Sequence, residues 1–230
     1  MKILFFYFSF LPILIFSQNI DHWETVVYDN DIWNYFEGTT EPDSNWRLLS
    51  YNDSSWLQGQ GGIGYGDGDD STIISPVLSL YLRKKFFVHD TSKITAAVLN
   101  VDYDDAFVAY LNNIEIARSN IGSTGDFPEF NQPSIQGNQE AVMYQGKYPE
   151  NIIINKQLLN SILNLGDNVL SLQIHNDNIF SSDLSSRIFL SFGISDTSIS
   201  YSPTPSWFNA PVVMESSKLP IVVINTNGND

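Results

Sequence analysis

The chain has 230 residues, of which 43% are hydrophobic and 13% aromatic, so it is long enough and apolar enough to bury a core. Acidic residues outnumber basic ones by 26 to 11, giving a formal net charge of −15. This balance argues against a nucleic-acid partner, because phosphate binding requires Lys and Arg. The chain contains no cysteine, which excludes disulfides and thiolate metal sites. Cations and neutral molecules remain as the compatible ligands.

A basic residue and an apolar run open the sequence. Lys2 precedes an almost unbroken apolar stretch over residues 3–16, which ends at Ser17, a small residue of the kind that signal peptidase cuts after. The run is shorter than the roughly 20 residues that span a bilayer. We therefore predict a signal peptide over residues 1–17 and a secreted or cell-surface protein that has no membrane contact after cleavage.

From residue 23 onward, short β-prone runs alternate with turn clusters, which predicts an antiparallel β-sandwich. The predicted strands are residues 23–28, 32–36, 78–88, 94–101, 151–155, 169–174 and 187–194. Asn155 is predicted to cap one short helix that ends near Leu163. Trp46 and Trp56 are expected to plug the ends of the sandwich core, because buried aromatic residues are commoner than ligand-stacking ones.

Residues 101–118 predict a β-hairpin. Its first strand carries Ala106, Val108 and Tyr110 on one face and Phe107, Ala109 and Leu111 on the other. Apolar side chains on both faces indicate a strand that is covered on both sides. The Asn112-Asn113 pair favours a type I′ turn, since Asn tolerates a positive φ better than any residue except Gly.

Three aspartates lie at the entrance to this hairpin. Asp102, Asp104 and Asp105 stand close together beside an apolar strand. Their mutual repulsion costs free energy unless water, a cation or backbone N–H groups relieve it. They are the strongest sequence signal for a binding function.

A loop rich in glycine and aspartate covers residues 58–70. Its glycines match the pattern G-x-G-x-x-G, but the aspartates that follow would repel a pyrophosphate, which excludes a dinucleotide site. Asp67, Asp69 and Asp70 resemble the start of an EF-hand, yet the sixth position is not glycine and Leu78 stands where the twelfth-position glutamate belongs. The loop is either a solvated turn or a source of oxygen ligands for a Ca²⁺ site of another design.

The one strong basic cluster is Arg83-Lys84-Lys85. In an acidic protein, three adjacent cations on a strand most simply neutralise nearby carboxylates. Strand alternation places Arg83 and Lys85 on one face and Lys84 on the other. We predict a structural role for all three residues.

Two further segments differ from the strand-rich remainder. Residues 119–146 are polar and contain several Gly and Pro residues, as in a binding loop that is either ordered or loose. Residues 196–216 are rich in Ser and Pro, which predicts a linker. An apolar strand begins beyond it, and a lone strand cannot bury itself.

Several motifs taken together point to one family. They are Asp53-Ser-Ser-Trp56, residues 62–70, Leu82-Arg-Lys84, residues 102–112, and His175-Asn176 with residues 181–184. In combination they resemble the galactose-binding-domain-like jelly roll of secreted Bacteroidetes-type proteins, over residues 18–195. The resemblance implies a jelly-roll β-sandwich that binds its ligand at the loop ends. The turn at Asn112-Asn113 departs from the commoner Leu-Asn-Gly sequence but keeps the turn chemistry.

The tail, residues 217–230, resembles the opening strand of a CotH kinase domain, which commonly follows that jelly roll. All ATP- and metal-binding residues of the kinase family would lie beyond Asp230. The resemblance therefore implies a longer protein with a CotH-like domain downstream, and it implies no kinase activity for the chain itself.

Enzymatic alternatives find little support in the sequence. His175, Ser181 or Ser182, and Asp177 or Asp183 supply the residue types of a hydrolase triad, but spacing on one loop does not establish the geometry. Two carboxylates of glycosidase spacing arise by chance in so acidic a chain, and the three histidines are too scattered for a zinc site.

We therefore predict a non-catalytic module that binds carbohydrate or a cell-surface glycan at its loop ends and is stabilised by Ca²⁺. A structural spacer or docking domain for the CotH-like region is the alternative. The candidate metal ligands are Asp67, Asp69, Asp70, Asp102, Asp104 and Asp105. The candidate ligand-binding residues are Tyr65, Asp104, Asp105, His175, Asn176 and Asp183.

Overall fold

The computed structural model describes residues 20–213. The predicted signal peptide over residues 1–17 and the predicted CotH-like strand over residues 217–230 lie outside the described residues. Both therefore stay predictions.

Strands dominate the described part of the chain. They are β1 (His22–Val27), β2 (Ile32–Glu37), β3 (Leu57–Gln60), β4 (Ile63–Gly64), β5 (Thr72–Ile73), β6 (Ser79–Val88), β7 (Ile94–Tyr103), β8 (Ala106–Leu111), β9 (Ile114–Ser119), β10 (Glu150–Asn155), β11 (Gly166–His175), β12 (Ser186–Ile194) and β13 (Ser202–Pro203). One α-helix, α1 (Lys156–Ile162), and two 3₁₀ turns, Thr91–Lys93 and Met143–Gln145, complete the described elements.

Two antiparallel sheets pack face to face. A five-stranded sheet has the order β10-β7-β12-β1-β13, and a six-stranded sheet has the order β3-β2-β6-β11-β8-β9. The main core lies between them, where Leu99 and Leu190 of the first sheet join Leu82 and Leu172 of the second. The predicted all-β antiparallel sandwich is confirmed. The short strands β4 and β5 form a separate parallel pair.

The predicted helix is present with its predicted cap. The Asn155 side chain accepts a hydrogen bond from the Leu158 backbone N–H at 2.9 Å, and α1 buries Leu159 and Ile162 against the core. This is the helix start that the Asn155 position indicates. No helix among residues 20–213 is long and apolar enough to cross a membrane.

The hairpin of β8 and β9 forms as predicted. Its turn residues Asn112 and Asn113 have φ angles of 48° and 75°, which is the type I′ arrangement. Phe107, Ala109 and Leu111 point into the main core. The other side chains of β8, those of Ala106, Val108 and Tyr110, belong to a second hydrophobic cluster on the outer face of the six-stranded sheet.

Substitutions at Asn113 should separate the backbone cost of the turn from the loss of a side-chain contact. Both Asn113→Ala and Asn113→Gly remove the hydrogen bond from Arg47 Nε, which is 3.3 Å long. Only alanine then resists the positive φ, so we expect Asn113→Ala to be less stable than Asn113→Gly by about 1 kcal/mol. Urea unfolding of the two variants measures this difference, and equal stabilities would contradict the turn assignment.

The second hydrophobic cluster corrects the expected position of two tryptophans. Trp46 and Trp56 are buried as predicted and stack with ring centroids 6.2 Å apart. However, they cover the outer face of the six-stranded sheet together with Tyr81 and Tyr110, and do not plug the ends of the main core. The sequence could not show which side of a sheet the loop over residues 38–56 would cover.

The basic cluster has the predicted structural role. Arg83 Nε lies 2.8 Å from Asp53 Oδ2, and Lys85 Nζ lies 3.6 Å from Asp53 Oδ1 on the same face of β6. On the opposite face, Lys84 Nζ lies 3.4 Å from Asp31 Oδ2. All three cations therefore neutralise carboxylates, with the predicted alternation.

Part of the predicted linker packs on the sandwich. Strand β13 pairs with β1, and the backbone N–H groups of Ser200 and Tyr201 donate to the Glu24 carboxylate at 3.1 and 3.0 Å. The Phe208 ring lies 5.6 Å from the Trp23 ring. The aromatic residues within the Ser- and Pro-rich stretch bury apolar surface, so residues 200–208 follow the five-stranded sheet.

Candidate functional site

Three loops meet at one end of the sandwich, where β7 passes into β8. We call them the glycine loop (residues 61–71), the polar loop (residues 120–149) and the histidine loop (residues 176–185), which is named for His175 directly before it. Tyr65 and Leu184 exchange two backbone hydrogen bonds of 2.9 Å, which joins the glycine loop to the histidine loop. The Ser134 N–H donates to the Asn176 carbonyl at 2.9 Å, which joins the polar loop to the histidine loop. We refer to this region as the acidic end.

Two glycines of the glycine loop permit this close approach. A Cβ at Gly64 would lie 1.9 Å from the Leu184 carbonyl oxygen, and one at Gly66 would lie 2.5 Å from Asp183 Cβ. Gly66 also has a φ of 115°, which side chains disfavour. The glycines therefore serve packing against the histidine loop, in agreement with the rejection of a dinucleotide site.

Three carboxylates from different segments converge at the acidic end. One oxygen each of Asp104, Glu140 and Asp183 lies within 4.8 Å of the other two. Asp104 is only 3% exposed, whereas Asp183 is half-buried and Glu140 is exposed on the polar loop. We call this set the first acidic group. It is buried at Asp104 and open to solvent at Glu140.

The electrostatics of Asp104 reflect this setting. Burial raises the pKa of Asp104 to about 9, and the neighbouring charges of Asp105, Asp183 and Glu140 add to the effect. Among residues 20–213, the acidic members of ion pairs are Asp21, Glu24, Asp29, Asp31, Asp53, Glu115 and Asp196. The first acidic group thus has no ion-pair partner within the described part of the chain.

The other two aspartates of the hairpin entrance hold loops in place. The two carboxylate oxygens of Asp102 accept from the backbone N–H groups of Val142 and Met143, at 2.8 and 2.9 Å. Asp105 Oδ2 accepts from the Asp177 N–H at 2.8 Å. Backbone N–H groups, one of the three expected sources of relief for this trio, therefore serve Asp102 and Asp105. Neither residue belongs to the two acidic groups found among residues 20–213, and their role as metal ligands stays a prediction.

The glycine loop supplies a second acidic group. Asp67, Asp69 and Asp70 are partly buried, and one oxygen of each lies within 4.8 Å of the others. Burial raises the pKa of Asp70 to about 7 and that of Asp67 to about 6, and the negative charge of Asp69 adds to both shifts. Four carboxylate oxygens of this group are buried without a hydrogen-bond partner among the described residues: Asp67 Oδ1, Asp69 Oδ1, Asp69 Oδ2 and Asp70 Oδ2.

Three of the residues predicted to bind ligand are buried at the acidic end. Tyr65, His175 and Asn176 are 6%, 0% and 0% exposed. Asn176 Nδ2 donates to the Tyr65 hydroxyl at 2.9 Å, and His175 Nδ1 lies 2.8 Å from the Gln132 carbonyl oxygen. These side chains are buried, and their hydrogen bonds join the loops of the acidic end. Their contact with a ligand stays a prediction.

The serine and aspartate residues considered for a hydrolase triad do not assemble around His175. Ser182 Oγ donates to Asp183 Oδ1 at 2.6 Å, and the ring of His175 is directed to the Gln132 backbone. Burial lowers the pKa of His175 to about 4. A sealed, neutral imidazole without a hydroxyl partner lacks the geometry of a general base for serine.

Sequence reasoning missed two features of this end. Glu140 joins the first acidic group from a polar loop in which no local pattern distinguishes it. Phe180 is 91% exposed on the histidine loop, three positions before Asp183. An aromatic residue in a loop between two strands is a weak signal until its exposure is known.

Comparisons with known proteins assign no family. No family model matches the chain, and no curated protein sequence matches it. The solved structures that resemble this one include a β-glucuronidase of glycoside hydrolase family 2, with 12% identity and a TM-score of 0.45. The match covers 77% of this chain and 18% of the neighbour. The β-glucuronidase of an uncultured Clostridium species has 13% identity and a TM-score of 0.47, covering 79% and 31%.

A calcium-binding mutant of Bacteroides uniformis β-glucuronidase 2 is a third such structure. It has 10% identity and a TM-score of 0.45, and the match covers 74% of this chain and 18% of the mutant. The chain thus spans less than a third of the length of each neighbour. At these identities and TM-scores, the neighbours establish neither the family nor the function of this chain.

Proposed function

We propose that this chain is a secreted, non-catalytic module that binds carbohydrate at its acidic end and is stabilised there by Ca²⁺. The observation that carries the proposal is the convergence of Asp104, Glu140 and Asp183 from three segments, without an ion-pair partner among residues 20–213. Such an arrangement is costly in a folded protein unless it binds something.

The chemistry of the donors fits calcium. Ca²⁺ takes oxygen ligands, carboxylates above all, in a flexible arrangement of six to eight at about 2.3–2.6 Å. The first acidic group would hold one ion through Asp104, Glu140 and Asp183. The partly buried carboxylates of the second acidic group offer the same donors on the glycine loop.

The loops of the acidic end carry side chains that suit a sugar. Hydroxyl groups hydrogen-bond to carboxylates, and an exposed aromatic ring can stack on the apolar face of a pyranose. Phe180, which is 91% exposed, and the rim carboxylates of Glu140 and Asp183 supply both kinds of contact. The predicted signal peptide supports an extracellular setting, where glycans are available as ligands.

Binding to a glycan array tests the carbohydrate part of the proposal. We expect the mature chain to bind in Ca²⁺ and to bind less well in EDTA. Phe180→Ala should abolish binding, whereas the control Phe87→Ala removes a half-exposed ring from β6 and should leave binding unchanged. Failure to bind any glycan in either condition would contradict this part and favour the structural spacer.

Thermal unfolding tests the calcium part separately. At a Ca²⁺ concentration about a hundred-fold above Kd, linkage adds about 2.7 kcal/mol to the unfolding free energy, which corresponds to a rise in Tm of roughly 5–10 °C. The variant Asp104→Asn should lose this rise. In EDTA at neutral pH it should melt above the unmodified protein, because asparagine is neutral without the cost of protonating a carboxyl group whose pKa is raised to about 9.

A matched control distinguishes the site from general charge effects. Glu140→Gln removes one predicted ligand from the polar loop, and Glu129→Gln makes the same change at an exposed position of the same loop. We expect only the first to weaken the Ca²⁺ response. A melting curve that Ca²⁺ leaves unchanged in the unmodified protein would remove the metal from the proposal.

A further inference from the structure

The outer face of the six-stranded sheet carries buried polar side chains in place of the apolar ones expected under an aromatic cover. Ser171, Gln173 and His175 occupy successive outward positions of β11, and all three are at most 2% exposed. Alternation directs their neighbours Leu172 and Ile174 into the main core. A polar row therefore runs along the centre of a buried sheet face.

The strands on both sides extend this row into a patch. Gln173 pairs with Tyr81 of β6, and Ser171 pairs with Arg83 of β6 and with Tyr110 of β8. Tyr81, Arg83 and Tyr110 are 0%, 1% and 1% exposed. We define the polar layer as six residues: Tyr81, Arg83, Tyr110, Ser171, Gln173 and His175.

Every member of the polar layer has a polar atom without a protein partner among residues 20–213. The atoms are Tyr81 Oη, Arg83 Nη2, Tyr110 Oη, Ser171 Oγ, Gln173 Nε2 and His175 Nε2, all inaccessible to bulk solvent. Each unpartnered buried polar atom lowers the ratio of folded to unfolded protein by roughly five- to 150-fold. Together, six of them would cost as much as the whole stability of a typical domain.

The cover over the polar layer is closed and firmly attached. The Trp46 ring packs edge-on against Tyr81 and Tyr110, with centroid distances of 5.1 and 5.9 Å. Arg83 Nη1 donates to the backbone carbonyls of Trp46 and Leu48. The missing hydrogen bonds therefore cannot come from bulk solvent.

We propose that ordered water molecules are bound between the six-stranded sheet and this cover, where each bridges several atoms of the polar layer. A buried water makes two to four hydrogen bonds, so about two or three molecules suffice for six atoms. Water can also match every group present. It accepts from Arg83 and Gln173, it donates to His175 Nε2, and it does either with the hydroxyls.

The bound water links the polar layer to the acidic end. His175 Nδ1 donates to the Gln132 carbonyl oxygen when Nε2 accepts from water. The adjacent carbonyl of Asn176 accepts from Ser134. Water at Nε2 thus selects the tautomer that ties the polar loop to β11. This inference stands independently of calcium and carbohydrate.

Removing single hydroxyl groups distinguishes a hydrated layer from a dry one. If the layer is hydrated, Tyr81→Phe and Tyr110→Phe each remove a hydrogen bond to water, and the ratio of folded to unfolded protein should fall roughly five-fold. If it is dry, each change removes an unpartnered hydroxyl, and stability should stay equal or rise. The control Tyr148→Phe alters a 55% exposed side chain and should change nothing.

A crystal structure supplies the second readout. We expect at least two water molecules with low B-factors, each within about 3.2 Å of two or more atoms of the polar layer. Absence of such density, a different molecule in that place, or phenylalanine variants that are as stable as the unmodified protein would each overturn the proposal.

Discussion

Replacing Arg83 with methionine is expected to lower the unfolding free energy by about 3–5 kcal/mol, the cost of breaking a buried ion pair. Arg83 is 1% exposed, and its Nε lies 2.8 Å from the carboxylate of Asp53, which is 7% exposed. The guanidinium also binds the carbonyls of Trp46 and Leu48. Methionine would leave the buried Asp53 carboxylate with only the half-exposed ammonium group of Lys85, 3.6 Å away. It would also remove the donor to the Trp46 and Leu48 carbonyl groups, so the loop over residues 38–56 would lose its anchor.

Two further variants give this expectation its controls. Lys84→Met breaks a more exposed pair with Asp31, in which the charged atoms are 3.4 Å apart, and should cost less than about 1 kcal/mol. The double variant Arg83→Met, Asp53→Leu should be more stable than Arg83→Met alone, because it also removes the buried carboxylate that has lost its main partner. Urea unfolding measures all three. Similar losses for Arg83→Met and Lys84→Met would show that the buried pair has no special weight.

The unfolding free energy is expected to fall by about 3 kcal/mol through His175 as the pH drops from 6.5 to 4. Burial lowers the pKa of His175 to about 4 from its ordinary value of 6.5. Between these values the unfolded chain binds a proton that the folded protein rejects, so stability is lost as the pH falls. Below about pH 4 both states bind the proton, and this contribution becomes constant.

Comparison with variants isolates this effect from the titration of carboxylates. His175→Gln should remove the contribution, so its stability should depend less on pH between 4 and 6.5 than that of the unmodified protein. His89→Gln, at an exposed position, should retain the full dependence. Chemical unfolding at a series of pH values gives the slopes. Equal slopes for His175→Gln and the unmodified protein would contradict a buried neutral imidazole.

Local patterns predicted the scaffold of the site well. The Asn112-Asn113 turn, the Asn155 cap and the alternation of Arg83 and Lys84 each depend on chemistry within a few residues, so they can be derived from neighbours in the chain. The long strands were predicted for the same reason. The short strands β3, β4, β5 and β13 were missed, because two to four residues carry no periodic pattern and owe their conformation to a distant partner.

The acidic end shows the limit of such reasoning. The sequence indicated that the clustered aspartates matter, but it could not show that Asp102 and Asp105 bind backbone N–H groups while Asp104 is left with other carboxylates. That division depends on where the polar and histidine loops fold back. The same long-range contacts bring in Glu140 and bury His175.

By itself, then, the sequence determined the class of fold, the hairpin behind the acidic end and the pairing of its basic cluster, since these follow from backbone periodicity, turn propensity and strand alternation. Only the tertiary structure decided which carboxylates meet, which polar side chains become a buried layer and where Trp46 and Trp56 pack. Those outcomes depend on contacts between residues far apart in the chain. The free-energy cost of burying these polar groups arises only when both sheets and their loops have come together and excluded water.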